Sequence, residues 1–259
     1  MHEEMARYWQ GRARSYSNGV KGELSGDMRR VWEAVLASRT ARARFDARRA
    51  GSAPRVLDLG CGPGMFSILY AHMGCAVTAV DFSQNMLDQA AENAAAEQVR
   101  DRIEFHCEDA SDLPFPSDAF DVAVSRNVTW IMEDPERAYR EWLRVLKPGG
   151  KLLVFDANWY RYLVDPAVAR QRALDQEANV LEGWDDDAQA TSDEEKRCEE
   201  LAASLPFTGI LRPAWDAELL ESIGFGDVLV DEGIWKLVWP KNEQDYYGST
   251  PMFLIEAQK

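Results

Sequence analysis

Hydrophobic positions change their period near residue 55. Before it, apolar residues recur at helical spacing, and residues 27–49 mix Ala, Leu, Val and Trp with many Arg, which predicts an amphipathic helix or a pair of them. Gly51-Ser52-Ala53-Pro54 is a break. Beyond it, short apolar runs alternate with helical stretches. RVLDLG (55–60), CAVTAVD (75–81), RIEFHCED (102–109), FDVAVSRN (120–127) and GKLLVFDAN (150–158) predict strands. PGMFSILYAHMG (63–74), SQNMLDQAAENAAAEQ (83–98) and DPERAYREWLRVLKPGG (134–150) predict helices, with Ser83 as an N-cap and Pro-Gly-Gly as a stop.

Strands alternating with helices specify an α/β fold: a doubly wound, mostly parallel, Rossmann-like sheet. Ligands of such sheets sit beyond the carboxyl ends of the strands, where the strand order reverses. Residues 159–214 interrupt the alternation. They read as a helical, acidic insertion (WDDD at 184–187, DEEKRCEE at 193–200), and Trp159, Tyr160, Trp184 and Phe207 argue for a packed lid rather than a disordered loop. After WDAELLESIGF (215–225), the segments 227–239 and 250–258 predict a terminal antiparallel strand pair. The expected organisation is a helical cover (1–50), a cofactor-binding core (51–158), a lid (159–214) and a helix with a strand pair completing the sheet (215–259).

The net charge of -15 repels phosphate backbones, so no nucleic-acid partner is expected. Cys61, Cys75, Cys107 and Cys198 lack zinc-like spacing and suit free thiols in a reducing cytoplasm. The polar N-terminus offers no signal-peptide core, no apolar run is long enough for a membrane span, and no ligand cluster suggests a metal.

The chemistry concentrates at Asp58-Leu59-Gly60-Cys61-Gly62-Pro63-Gly64, between the first strand and first helix. Glycines let a ligand approach the backbone, and the helix start adds free amides. A dinucleotide fingerprint counted from Gly60 needs its third glycine at position 65, which is Met65, and the P-loop lysine is missing. Neither phosphate cradle is present. Asp81 ends the second strand, where a carboxylate can accept from both ribose hydroxyls. Asp109 ends the predicted third strand, within reach of an adenine amino group.

With these residues in view, the chain resembles the class I S-adenosylmethionine-dependent methyltransferases, in the branch acting on small molecules and quinones. VLDLGCGPG (56–64), VTAVDFSQNMLDQA (77–90), CEDASDLPFPSDAFDVAVS (107–125) and LRVLKPGGKLLV (143–154) carry the resemblance, and ARYWQGRARSYS (6–17) looks like the segment that folds over the cofactor in that branch. The resemblance implies S-adenosyl-L-methionine as cofactor, with its ammonium near Asp58 and its methionine part along the loop formed by Gly60, Cys61, Gly62 and Gly64. It gives the ribose to Asp81, the adenine to Phe82, Met86, Asp109 and Ala110, and the methionine or sulfonium end to Asn127. Tyr8, Trp9 and Tyr16 are the covering residues, with helix packing as their other reading. It implies transfer to a small-molecule acceptor, for which Trp130, Trp159 and Tyr160 are the candidates. No residue is singled out as a catalytic base, since His72 and His106 read as structural. RNA or protein methylation, and non-catalytic cofactor binding, are the alternatives.

Overall fold

The computed structural model describes residues 2–179 and 191–259. Three helices open the chain: α1 (His2–Ser25), α2 (Met28–Arg39) and α3 (Ala41–Arg49). The expected alternation follows as β1 (Arg55–Leu59), α4 (Met65–His72), β2 (Ala76–Asp81), α5 (Gln84–Ala96), β3 (Ile103–Cys107), β4 (Phe120–Arg126), α6 (Pro135–Val145) and β5 (Leu146–Asp156). Then come α7 (Pro166–Asn179), α8 (Ser192–Ala202), the short α9 (Pro206–Gly209), α10 (Ala214–Ile223), β6 (Gly226–Asp231), the short α11 (Trp235–Val238) and α12 (Lys241–Tyr246), and β7 (Phe253–Gln258).

The helix starts are fixed locally. Ser83 Oγ accepts from Met86 N at 3.3 Å, and the Asp134 carboxylate accepts from Arg137 N at 3.0 Å with Pro135 in the first turn. The seven strands run in the order β3-β2-β1-β4-β5-β7-β6. Neighbours from β3 to β5 pair parallel, whereas β7 is antiparallel to both β5 and β6. The order reverses between β1 and β4, which places a crevice beyond Leu59 and Arg126.

Both faces of the sheet are covered, and the period of two shows in the core. Val56, Val122, Val124, Leu153 and Phe155 pack on one face with Trp32, Phe66 and Tyr70. Leu57, Leu59, Ala123, Leu152 and Val154 pack on the other with Tyr139 and Trp142. A third apolar cluster joins Met5 of α1 to Trp130 and to Cys198, Leu201 and Ala202 of α8, so the segment after β5 closes onto the N-terminal helix.

Three boundaries differ from the sequence expectation. The strand expected over 227–239 ends at Asp231, and 235–238 is helical. Ile234 and Val238 are both buried against the α2 face of the core, and a spacing of four suits a helical turn rather than alternation. The helix expected to reach residue 150 ends at Val145, because Leu146 already pairs with Phe120 of β4. The third strand ends at Cys107, so Asp109 does not end it; the Asp109 carboxylate accepts from Ser111 N at 2.8 Å and bends the chain into a turn. Trp184 and the acidic run 184–187 lie outside the described residues. The acidic run 193–200 forms α8, started by a Thr191–Glu194 capping box, with Cys198 turned inward. Among the described residues no helix is long and apolar enough to cross a membrane.

One buried ionic cluster locks the two halves of the chain together. Arg212, just before α10, is fully buried and pairs with Asp156 at the end of β5 (3.0 Å) and with Asp216 (2.8 Å). It also donates to Thr129 Oγ1 at 2.6 Å and stacks over the Phe207 ring at 4.0 Å. Breaking a buried pair from one side leaves uncompensated charge and costs about 3–5 kcal/mol. Arg212→Met is therefore expected to lower the unfolding free energy by about 3–5 kcal/mol. Urea denaturation followed by tryptophan fluorescence measures this, and an unchanged midpoint would refute the role given to Arg212.

Candidate cofactor and acceptor site

The β1–α4 loop is built by close approach. Gly60 has φ +64°, and a Cβ there would lie 2.5 Å from a Val128 methyl, so the loop beyond β4 nests against bare backbone. Gly64 has φ +88° at the start of α4, with Ala90 of α5 3.0 Å from where its Cβ would be. Cys61 N donates to Val80 O at 2.9 Å, and Asn93 Nδ2 donates to Pro63 O at 3.0 Å and to Ser17 Oγ of α1 at 3.1 Å. The loop is thus tied to β2, α5 and α1 at once. The Cys61 thiol is buried and pushed up, which keeps it in its unreactive form.

Two carboxylates face this loop with no ion pair among the described residues, Arg126 acting on Asp58 only from a distance. Asp81 accepts from Gly62 N and Ser83 N, each at 2.9 Å, which fixes the plane of the carboxylate. Asp58 accepts from Ser67 Oγ at 2.6 Å. Burial is the main cause that pushes Asp58 to about 7 and Asp81 to about 6; for Asp58 the nearby Asp81 adds to it, and the Ser67 hydroxyl opposes it. A pair of desolvated acids at the switch point is suited to a ligand bringing a positive charge and hydroxyl donors. Among the described residues no group of acids, histidines and cysteines could hold a metal.

Three cavities run in sequence over the carboxyl ends of the strands. One, about 230 Å³, lies among Phe82, Asp109, Ala110 and Met132. It shares Gly60, Asp81 and Phe82 with a narrow one of about 70 Å³, lined by Asp58, Cys61, Gly62 and Met86. The narrow cavity shares Trp9, Tyr16 and Asn127 with a large one of about 660 Å³. Trp9 and Tyr16 of α1 lie over the middle of this path, their rings 5.5 Å apart edge to face, which is why so little space is left there.

Most residues singled out from sequence gather along this path. Asp58, Gly60, Cys61, Gly62, Asp81, Phe82, Met86, Tyr16 and Asn127 line the narrow cavity. Gly64 serves it by starting α4. Asp109 and Ala110 line the cavity on the far side of Asp81. Tyr8 lies on the large cavity instead, together with Trp130, Trp159 and Tyr160. Trp130 and Tyr160 rings stand 4.9 Å apart, and Trp159 Nε1 donates to Asp156 at 2.9 Å. His72 pairs with Glu97 at 3.0 Å and His106 packs edge-on against Phe115, both away from the path.

Sequence reading missed five residues. Arg126 at the end of β4 binds Glu23 of α1 bidentately, at 2.6 and 2.7 Å, and stacks over Trp32 at 4.8 Å. Glu243, Tyr246 and Tyr247, in and after α12, form one wall of the large cavity. Asp156 at the end of β5 anchors both Trp159 and Trp130 N (3.0 Å). The rule that selected Asp58 and Asp81, an acid ending a strand, applies equally to Asp156; nothing in the sequence pattern points to Glu243.

The chain is similar to proteins of known family. A family described as "Methyltransferase domain" matches residues 57–154. The chain is 42% identical over 117 residues to a demethylmenaquinone methyltransferase of Clavibacter sepedonicus, covering 45% of each chain. It is 33% identical over 150 residues to a phosphatidylethanolamine N-methyltransferase of Cereibacter sphaeroides, covering 58% of this chain and 72% of that one. The chain thus spans less than half the length of the first relative and nearly three quarters of the second. Among solved structures, the [4+2]-cyclase SpnF superposes with a TM-score of 0.55 at 22% identity, over 88% of this chain and 80% of that one, a likeness of fold.

The buried acids give a testable pH dependence. Asp58 titrates near 7 when folded and near the ordinary value of about 4 when unfolded. Between those values the folded chain holds the extra proton, so stability falls as pH rises from about 4 to 7. Asp58→Asn is expected to shrink the difference between the urea midpoints at pH 5 and pH 8. An equal difference in the variant would show that Asp58 is not the titrating group.

Proposed function

This chain belongs to the class I S-adenosylmethionine-dependent methyltransferases, and we propose that it transfers the methyl group of S-adenosyl-L-methionine to a small-molecule acceptor by in-line displacement. The observation that carries the reading is the path of joined cavities, with desolvated Asp58 and Asp81 along one part and a large aromatic chamber beyond Asn127. The cofactor, when bound, supplies a methyl group activated on a sulfonium. Asp58 and the glycine loop hold its amino-acid part, Asp81 accepts from its ribose hydroxyls, and Phe82, Met86, Asp109 and Ala110 surround its adenine. Asn127 and Tyr16 then mark where the methyl group enters the chamber. Trp9 and Tyr16 close α1 over the junction and exclude water. Alignment of nucleophile, methyl and sulfur is the main requirement of such a displacement, and positioning can supply about 7–11 kcal/mol of a barrier.

The same reading divides the chain into a helical cover (1–50), a cofactor core (51–158), a lid (159–214) and a sheet-completing segment (215–259). The contacts of α8 with α1 support the lid. The net charge of -15 and four unpaired cysteines support a cytoplasmic enzyme with no nucleic-acid partner.

Calorimetric titration tests the cofactor. S-adenosylmethionine and S-adenosylhomocysteine are expected to bind at micromolar concentration, and NAD not at all; absence of binding by the first two would sink the reading. Asp81→Ala should weaken both by roughly 1.5–3 kcal/mol, the worth of hydrogen bonds to a charged acceptor. Unchanged affinity would move the ribose elsewhere. Trp159→Ala and Tyr160→Ala should alter acceptor use and leave cofactor affinity near that of the parent protein.

A further inference from the structure

We propose that the acceptor is an amine, held as a cation among the rings of the large cavity and paired with the carboxylate of Glu243. The inference rests on the methyl-transfer reading and names the substrate class of that same site.

The walls are aromatic on three sides. Tyr8, Trp9 and Tyr16 come from α1, Trp130, Trp159 and Tyr160 from the loops beyond β4 and β5, and Tyr246 and Tyr247 from the chain around the end of α12. Faces of such rings attract a cation, more strongly where water is excluded. The charges point the same way. Glu23, Glu195, Glu199 and Glu243 open onto the cavity against Arg12 and Arg172. Several of these are already engaged. Arg12 pairs with Glu194 at 3.1 Å, Glu23 is held by Arg126, Glu199 accepts from Tyr162 Oη at 2.7 Å, and Arg172 lies 4.2 Å over the Tyr162 ring. Glu243 has no ion pair or side-chain hydrogen bond among the described residues. Burial first, and nearby Glu23 second, push its carboxyl up to about 7 even against the opposing pull of Arg126, which is itself paired with Glu23, so an added cation would relieve a cost that the protein now carries.

A separate observation sits where the methyl group would arrive. Asn127 Oδ1 is buried and has no hydrogen-bond partner among the described residues. Asn127 lines both the narrow and the large cavity. Its free acceptor is suited to an N–H of the substrate. An anionic acceptor would meet the excess of carboxylates, and a neutral one would leave Glu243 without a counter-charge.

The transfer balances. The amine gives up a proton to the Glu243 carboxylate, and its nitrogen lone pair then forms a bond to the methyl carbon. The carbon–sulfur bond breaks with its electrons passing to sulfur, which leaves S-adenosylhomocysteine and the N-methylated ammonium. A chamber of about 660 Å³ falls within the range of roughly 300–1,000 Å³ of sites that enclose whole small molecules, so the amine is one end of a larger acceptor.

The test uses the full chain saturated with S-adenosylhomocysteine, titrated with choline and with its neutral carbon isostere, 3,3-dimethylbutan-1-ol. Tryptophan fluorescence and calorimetry report binding, and 4-hydroxybenzoate serves as an anionic phenol. Choline is expected to bind at least tenfold tighter than the isostere, and Glu243→Gln to remove most of that preference while leaving S-adenosylhomocysteine affinity unchanged. Equal binding of the two isosteres, or preference for 4-hydroxybenzoate, would overturn the inference without touching the cofactor reading. A preference that survives Glu243→Gln would remove Glu243 from it. Failure of S-adenosylhomocysteine to bind would instead bring down the methyl-transfer reading itself. The comparison in the parent protein stands even if the variant does not fold.

Discussion

The fully buried guanidinium of Arg212 is the contact on which the acceptor side of the molecule depends. Asp156 ends a core strand, and Arg212 belongs to a segment more than fifty residues further along the chain. Between them Thr129 accepts from Arg212 and donates to Asp156, which brings in the loop beyond β4. A buried ion pair is expensive to desolvate and adds little net stability over a well-packed apolar substitute. What it adds here is position. The same Asp156 carboxylate holds the Trp159 ring and the Trp130 backbone, so two walls of the large cavity are set by one charge cluster rather than by separate packing.

The cofactor side rests on the opposite electrostatic state, charge left uncompensated. Asp58 and Asp81 are buried with hydrogen-bond donors and no ion pair among the described residues, and burial pushes both upward, for Asp58 against the opposing pull of Arg126. That is a standing cost to the free protein near neutral pH. Close packing of the loop beyond β4 onto Gly60 prevents the site from relaxing toward water to escape it. Sites that store such a cost are recurrently functional ones, because the ligand that supplies the missing charge recovers it.

The cofactor half was legible in the sequence because its parts are local. The glycine loop, the Ser83 cap and the acids at Asp58 and Asp81 each occupy a defined place relative to a strand end, and strands of alternating period locate themselves. The acceptor half was legible only as a list of aromatics. Trp130, Trp159 and Tyr160 follow strand ends and line the large cavity; Glu243 lies on a six-residue helix in the connection between the two segments read as strands, and no periodicity marks it. The expected strand over 227–239 failed for the same reason. Ile234 and Val238 look like alternating strand residues until the face of α2 that buries them is known. Asp109 shows an intermediate case: the acid was identified and reaches the expected cavity, but from a turn of its own making rather than from a strand end.

This division has a physical consequence for specificity. The cofactor path is made by contiguous strand, loop and helix, so its geometry follows from the sheet itself. The large chamber is assembled from α1, α2, the loops beyond β4 and β5, α7, α8, α11 and α12, which meet only through tertiary contacts. Substitutions in those elements can reshape the chamber without disturbing Asp58 or Asp81. Likeness along residues 57–154, where the family match lies, therefore fixes the cofactor chemistry and says little about the acceptor. Trp9, Tyr16 and Asn127 are the exceptions, since each lines both spaces. On the proposed reading, they are the residues through which a change of acceptor would be felt at the methyl group.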